Sequence, residues 1–152
     1  MSTALNNIRD IFSIFHDGGI IDYKGDLNKM TLTIQCNYLA ELIKPDFENF
    51  YVDLINITKL EFDPWINQID LPKREFNNYE EFLKEDLEII STEIKDSYVF
   101  ISCYQHNTDL GYSGGNLMIS AHDIKVYAHD REPMTIEQLN SICRLYWGKF
   151  GK

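Results

Sequence analysis

Along the chain the spacing of apolar positions alternates between helical and strand periods. Leu5, Ile8, Ile11, Phe12 and Phe15 recur at helical spacing over residues 3–16, with Ser2 or Thr3 as N-cap and Gly18 or Gly19 as the stop. Met30, Leu32, Ile34 and Cys36 then alternate with Thr31, Thr33 and Gln35, the period of a strand buried on one face. Ile20 to Tyr23 is expected to pair with it as a hairpin across Lys24 to Asn28, where Gly25 and Asp26 supply the turn.

From Phe50 to Phe62 the residues Phe50, Val52, Leu54, Leu60 and Phe62 share one parity, while Asn56 and Thr58 interrupt it and Ile55 and Ile57 fill the other, which predicts a strand bent near Asn56. Asp63-Pro64-Trp65 is expected to end it, because proline removes a ladder donor, and residues 66–78 read as a loop. A short helix over Tyr79 to Lys84 precedes two strands, Leu87 to Glu93 and Tyr98 to Tyr104, joined through Lys95-Asp96. Both faces of the second carry large side chains, as in a central strand. Asn107 to Asn116, with three glycines, reads as a linker to a strand over Leu117 to Ala128. Its inward set steps by three at His122-Asp123, from Leu117, Ile119, Ala121 to Ile124, Val126, Ala128, which predicts a β-bulge or local bend there.

The last segment opens with Thr135-Ile136-Glu137-Gln138, a capping box, and places Ile136, Leu139, Ile142, Tyr146 and Trp147 on one helical face. Strands clustered between terminal helices, without repeats or regular strand-helix alternation, predict a single α+β domain over residues 1–152. Its expected core is one antiparallel sheet of about six strands, with a mixed sheet left open, and the N- and C-terminal helices packed on it.

Bulk composition narrows the function classes. The chain has 152 residues, enough for one domain with its own core. Cys36, Cys103 and Cys143 are widely spaced and form no Cys-x-x-Cys pair, so free thiols in a reducing cytoplasm are expected, with no metal or other cofactor implied. No uninterrupted apolar stretch approaches the roughly 18 residues of a membrane span, and no secretory leader is recognisable at the start. With 24 acidic and 14 basic residues the formal charge is −10, a field that repels nucleic acid and anionic lipid and favours encounter with a basic protein.

Three His-Asp pairs occur, His16-Asp17, His122-Asp123 and His129-Asp130. Imidazole and carboxylate are ordinary metal ligands, so His16, Asp17, His122 and Asp123 form one candidate polar site. Against it, residues 122 and 129 differ by an odd number and would face opposite sides of a regular strand. His16 falls in the last turn of the first helix, where an imidazole interacts favourably with exposed carbonyls, and the adjacent glycines suit a helix stop. The helix-end reading explains the whole Phe15-His16-Asp17-Gly18-Gly19 motif, so no catalytic residue is assigned. Neither a Gly-x-Ser-x-Gly elbow nor a phosphate-binding loop fits Gly111 to Gly115. Cys36 and Cys103 lie on inward strand parity, where a thiol acts as a small hydrophobe.

A second candidate surface spans Asp63 to Tyr79, where Trp65, Phe76 and Tyr79 stand among Asp70, Glu75 and other acids. Aromatic anchors with acidic neighbours suit an interface for a basic protein; the alternative is that these aromatics fold back onto the core. The helix ending in Phe15-His16-Asp17-Gly18, with Ile20 after it and a late Ala121-His122-Asp123-Ile124, resembles small uncharacterised bacterial proteins, some of which resemble immunity proteins of polymorphic toxin systems. That resemblance implies a cytoplasmic binding protein that neutralises a partner, and it carries no catalytic residue. The resulting expectation is a non-enzymatic acidic binding protein with Trp65, Asp70, Glu75, Phe76 and Tyr79 as candidate contacts. A small-ligand or metal-dependent enzyme using the His-Asp pairs, and a structural homodimer, are the alternatives.

Overall fold

The computed structural model describes residues 3–66, 76, 78–107 and 112–148. Helix α1 (Thr3–Ile14) turns five apolar side chains inward. It is followed by the hairpin β1 (Gly19–Gly25) and β2 (Lys29–Gln35), the short α2 (Asn37–Ala40), and the long strand β3 (Asn49–Ile66). After α3 (Tyr79–Leu83) come β4 (Leu87–Lys95), β5 (Tyr98–Gln105), β6 (Tyr112–Tyr127), the two-residue β7 (Pro133–Met134) and α4 (Ile136–Gly148).

The fold is α+β: one antiparallel sheet of seven strands with terminal helices packed on it, one strand more than expected because β7 is too short to leave a periodic signal. The order is β3-β2-β1-β4-β5-β6-β7, and β3 also pairs with β6, so the ladders close into a ring. Closure needs two long, bent strands, and β3 and β6 supply them. Asn56 adopts a left-handed backbone (φ 51°), and the ladder skips the position where it faces His122 while keeping register on either side. Both strands there place two residues in succession away from the core, Ile55 and Asn56 opposite His122 and Asp123. The irregularity at His122-Asp123 is therefore a bend shared with the partner strand; the extra bulged residue lies in β3, at Thr58.

Two expectations are corrected by the long strands. Asp63-Pro64-Trp65 does not end β3, which continues to Ile66 with Pro64 opposite Gly115. The far half of β3 pairs with β6 alone, and an edge strand tolerates proline's missing donor. Gly114 and Gly115, read as linker, lie inside β6 and oppose Trp65 and Pro64. A Cβ at Gly115 would approach the Asp63 carbonyl at 2.4 Å and the Phe62 ring at 2.8 Å, so these glycines serve close packing inside a strand.

The core is one cluster that gathers Ile8 and Phe12 of α1, Phe15 just after it, Phe50 of β3, Leu32 and Ile34 of β2, and Ile101 and Cys103 of β5. The Phe15 and Phe50 rings pack with centroids 4.9 Å apart. Each such fully buried side chain contributes about 1.5–3 kcal/mol relative to exposure. The turn of the β4–β5 hairpin is Asp96-Ser97, one residue later than expected, with both residues at positive φ as a type I′ turn requires. At α4 the capping box forms reciprocally: the Gln138 amide N–H donates to the Thr135 hydroxyl (3.1 Å) and the Thr135 N–H to the Gln138 side-chain oxygen (2.8 Å). Among the described residues no helix is long and apolar enough to cross a membrane.

Candidate functional site

Register places one row of residues across the sheet: Gln35 of β2, Gly19 of β1, Glu88 of β4, Tyr104 of β5, Gly114 of β6 and Trp65 of β3 are successive cross-strand partners. Their neighbours Leu87 and Cys103 point into the core, so by the two-residue strand period the row faces outward. Tyr104 keeps 45 % of its surface exposed. The indole of Trp65 and the Tyr104 ring meet near edge-to-face, 6.2 Å between centroids and 76° between planes, on either side of Gly114. A side chain at Gly114 would collide with the Cys103 carbonyl, 2.1 Å from an ideal Cβ.

Beyond Tyr104 the row becomes acidic. The His106 Nε2–H donates to Glu88 Oε1 at 2.9 Å, and the imidazole lies 6.1 Å from the Tyr104 ring centroid. Both partners are solvent-exposed, so the pair adds at most about 1 kcal/mol to stability. Next to Glu88 an open cleft of about 440 Å³ is lined by Asp17, Gly19, Tyr38, Asp86, Glu88 and His106.

Asp17 reaches this cleft through the end of α1. It is Asp17, at φ 68°, that carries the left-handed backbone stopping the helix, rather than either glycine. The Asp17 N–H donates to the Ile89 carbonyl and the Ile89 N–H to the Gly18 carbonyl, both at 2.8 Å, stitching the helix end to β4. Gly18 is required for space instead: a Cβ there would stand 2.9 Å from the Phe15 carbonyl and 3.0 Å from that of Gln35. His16 donates from Nδ1 to the Ser13 carbonyl (2.9 Å), stacks on Trp147 at 5.1 Å, and has its own carbonyl bonded by the Tyr38 hydroxyl. Burial keeps the Tyr38 phenol protonated well above its usual range, so it remains a donor.

The four-residue polar site read from the sequence is not gathered. Asp17 lines the cleft beside Glu88, His16 packs on α4, and His122 lines a separate groove with Lys95 and Ser97 at the β4–β5 turn. Asp123 Oδ1 accepts the backbone N–H of Ile124. The third pair is structural as well. His129 Nδ1 accepts the N–H groups of Glu48 and Asn49, both at 3.1 Å, while its ring stacks on Phe47. Among the described residues no three His, Cys, Asp or Glu side chains converge to hold a metal ion.

Of the candidate contacts, Trp65 stands on the outward row. Phe76 packs edge-on against Phe62, Phe82 and Tyr112, 5.7 Å between centroids in each case, and is partly buried against the core. Tyr79 meets Tyr23 edge-on at 5.9 Å, beside β1 and off the row. Asp70 and Glu75 lie outside the described residues. Tyr104, Glu88 and His106 were not singled out from the sequence; the outward parity of Tyr104 against Val99, Ile101 and Cys103 is the signal that could have found it. No protein-family model, curated protein or solved structure matches the chain.

Proposed function

We propose that the protein is a non-enzymatic binding protein that engages a basic protein partner through the outward row of Trp65, Tyr104 and Glu88. The observation that carries this reading is the register itself. It sets two aromatic rings and a carboxylate side by side on the sheet face, with Asp17 and Asp86 in the adjoining cleft. Rigid aromatics with few rotatable bonds anchor an interface at low entropic cost, and surrounding carboxylates set encounter rate and salt sensitivity. The formal charge of −10 supports a partner of opposite sign. In its most specific form the proposal is a cytoplasmic, immunity-type inhibitor of a basic toxin domain.

Affinity capture from host lysate at low and moderate salt, run in parallel with Trp65→Ala, tests the reading. One basic protein retained at near-equal stoichiometry, weakened by salt and by Trp65→Ala, is the expected outcome. Retention of partners indifferent to both would count against it.

A further inference from the structure

The His106, Glu88 and Tyr104 arrangement has the form of a contact that a partner could make. His106 is a planar, N–H-bearing ring that donates to Glu88 at 2.9 Å with its centroid 6.1 Å from that of the Tyr104 ring. The imidazole is among the more exposed groups of the surface, 68 % accessible, and a pair so open is readily exchanged with solvent or with a competing donor. Elsewhere the molecule holds a guanidinium on a tyrosine face: the Arg131 group sits 3.7 Å over the ring centroid of Tyr51.

Resting on the reading of this face as a partner-binding surface, we propose that the occupant is an arginine presented by the partner, its guanidinium paired with Glu88 and lying against Tyr104 in place of His106. Arginine fits these observations better than lysine. Its planar fork can bond a carboxylate through two N–H groups while its face rests on an aromatic ring, whereas an ammonium is a compact, strongly hydrated charge. Asp17 and Asp86 line the cleft beside Glu88 and add attraction for the cation without competing for the ring. His106 holds the carboxylate in the free protein and swings to solvent when the guanidinium arrives.

The test is a titration of the isotope-labelled full chain with a capped Gly-Arg-Gly peptide and its lysine counterpart, followed by NMR at low salt. The arginine peptide is expected to move the signals of the His106 imidazole, the Tyr104 ring and the Glu88 carboxylate ahead of all others. The lysine peptide is expected to bind at least about fivefold more weakly, and Glu88→Gln to weaken the arginine peptide by about tenfold. Tyr104→Leu should erase most of the preference for arginine while leaving a salt-sensitive residue of binding. Equal responses to both peptides, or shifts spread over the acidic surface and unchanged in Glu88→Gln, would overturn the proposal. If the peptides fail but Trp65→Ala still weakens capture of the protein partner, the arginine assignment falls and the binding surface stands; if both fail, the surface itself is wrong.

Discussion

Trp65 and Tyr104 come from strands far apart in the chain, yet they meet edge-to-face on either side of Gly114, which sits between them in the cross-strand row. Nothing local to either residue produces that contact. It follows from β3 and β5 flanking β6 with Gly114 as their common partner, and from the absence of a side chain at that position. The aromatic surface thus depends on a glycine that would otherwise be read as a turn.

Gly114→Ala is therefore expected to damage stability and surface together. Its methyl group would lie 2.1 Å from the Cys103 carbonyl and 3.0 Å from the Trp65 ring, so the β5 backbone must move and the indole must give. Overpacking of this kind costs about 1–3 kcal/mol, read as a lowered denaturant midpoint, with a change in Trp65 fluorescence. A midpoint equal to that of the parent protein would show that the strands accommodate the methyl group without strain.

The two glycines after α1 should behave differently from each other. Gly18→Ala places its Cβ within 3.0 Å of two carbonyl oxygens and should cost about 1–3 kcal/mol. Gly19→Ala meets its nearest neighbour at 3.7 Å, an ordinary contact, and should stay within about 1 kcal/mol of the parent. Asp17→Gly removes the cost of a left-handed residue with a Cβ and should leave the midpoint unchanged or raise it by up to about 1 kcal/mol. Equal losses at positions 18 and 19 would contradict this division of roles.

The buried thiols make stability sensitive to alkali. Burial pushes Cys36 up to about 11 and Cys103 up to about 12, from 9.0 for a free thiol. In the unfolded chain both ionise above pH 9, so that state binds fewer protons than the native one and stability falls as pH rises from about 9 towards 11. Below pH 9 the two states hold these protons equally and the thiols contribute no slope. Cys103→Ala should flatten the fall, apart from its own cavity cost, when unfolding is followed at pH 8, 9 and 10. Alkylation of the native protein at pH 8 should label the half-buried Cys143 and spare the other two; early labelling of Cys103 would contradict its burial.

The parts of this fold legible in the sequence are those set by local periodicity. The apolar stripe of α1, the alternation of β2 and the Thr135/Gln138 box each arise within a few residues, and each is present in the structure. The ring is not local. Pairing of β3 with β6 is a relationship between distant segments, and the bend at Asn56 and His122 reads in either strand alone only as a lapse of alternation. Pro64 and Gly114 misled for one reason: both residue types punctuate loops, and both are also tolerated in strands, at an edge for proline and at a close approach for glycine. The site divides in the same way. Trp65 stood out as an aromatic among acids, whereas Tyr104 and Glu88 became its neighbours only once register was known.

The most direct test of the partner-binding surface is the affinity of the purified partner for the parent protein, Tyr104→Ala and Trp65→Ala, with Leu145→Ala as a control. Leu145 is 58 % exposed on α4, an element that contributes no residue to the row. Truncating an aromatic anchor at the centre of an interface typically costs about 2 kcal/mol or more, so each row variant should weaken binding by more than about tenfold. Unfolding midpoints of the three variants establish that they remain folded. A loss confined to Tyr104→Ala and Trp65→Ala is the result this account predicts; binding unchanged in both, or lost only in Leu145→Ala, would contradict it.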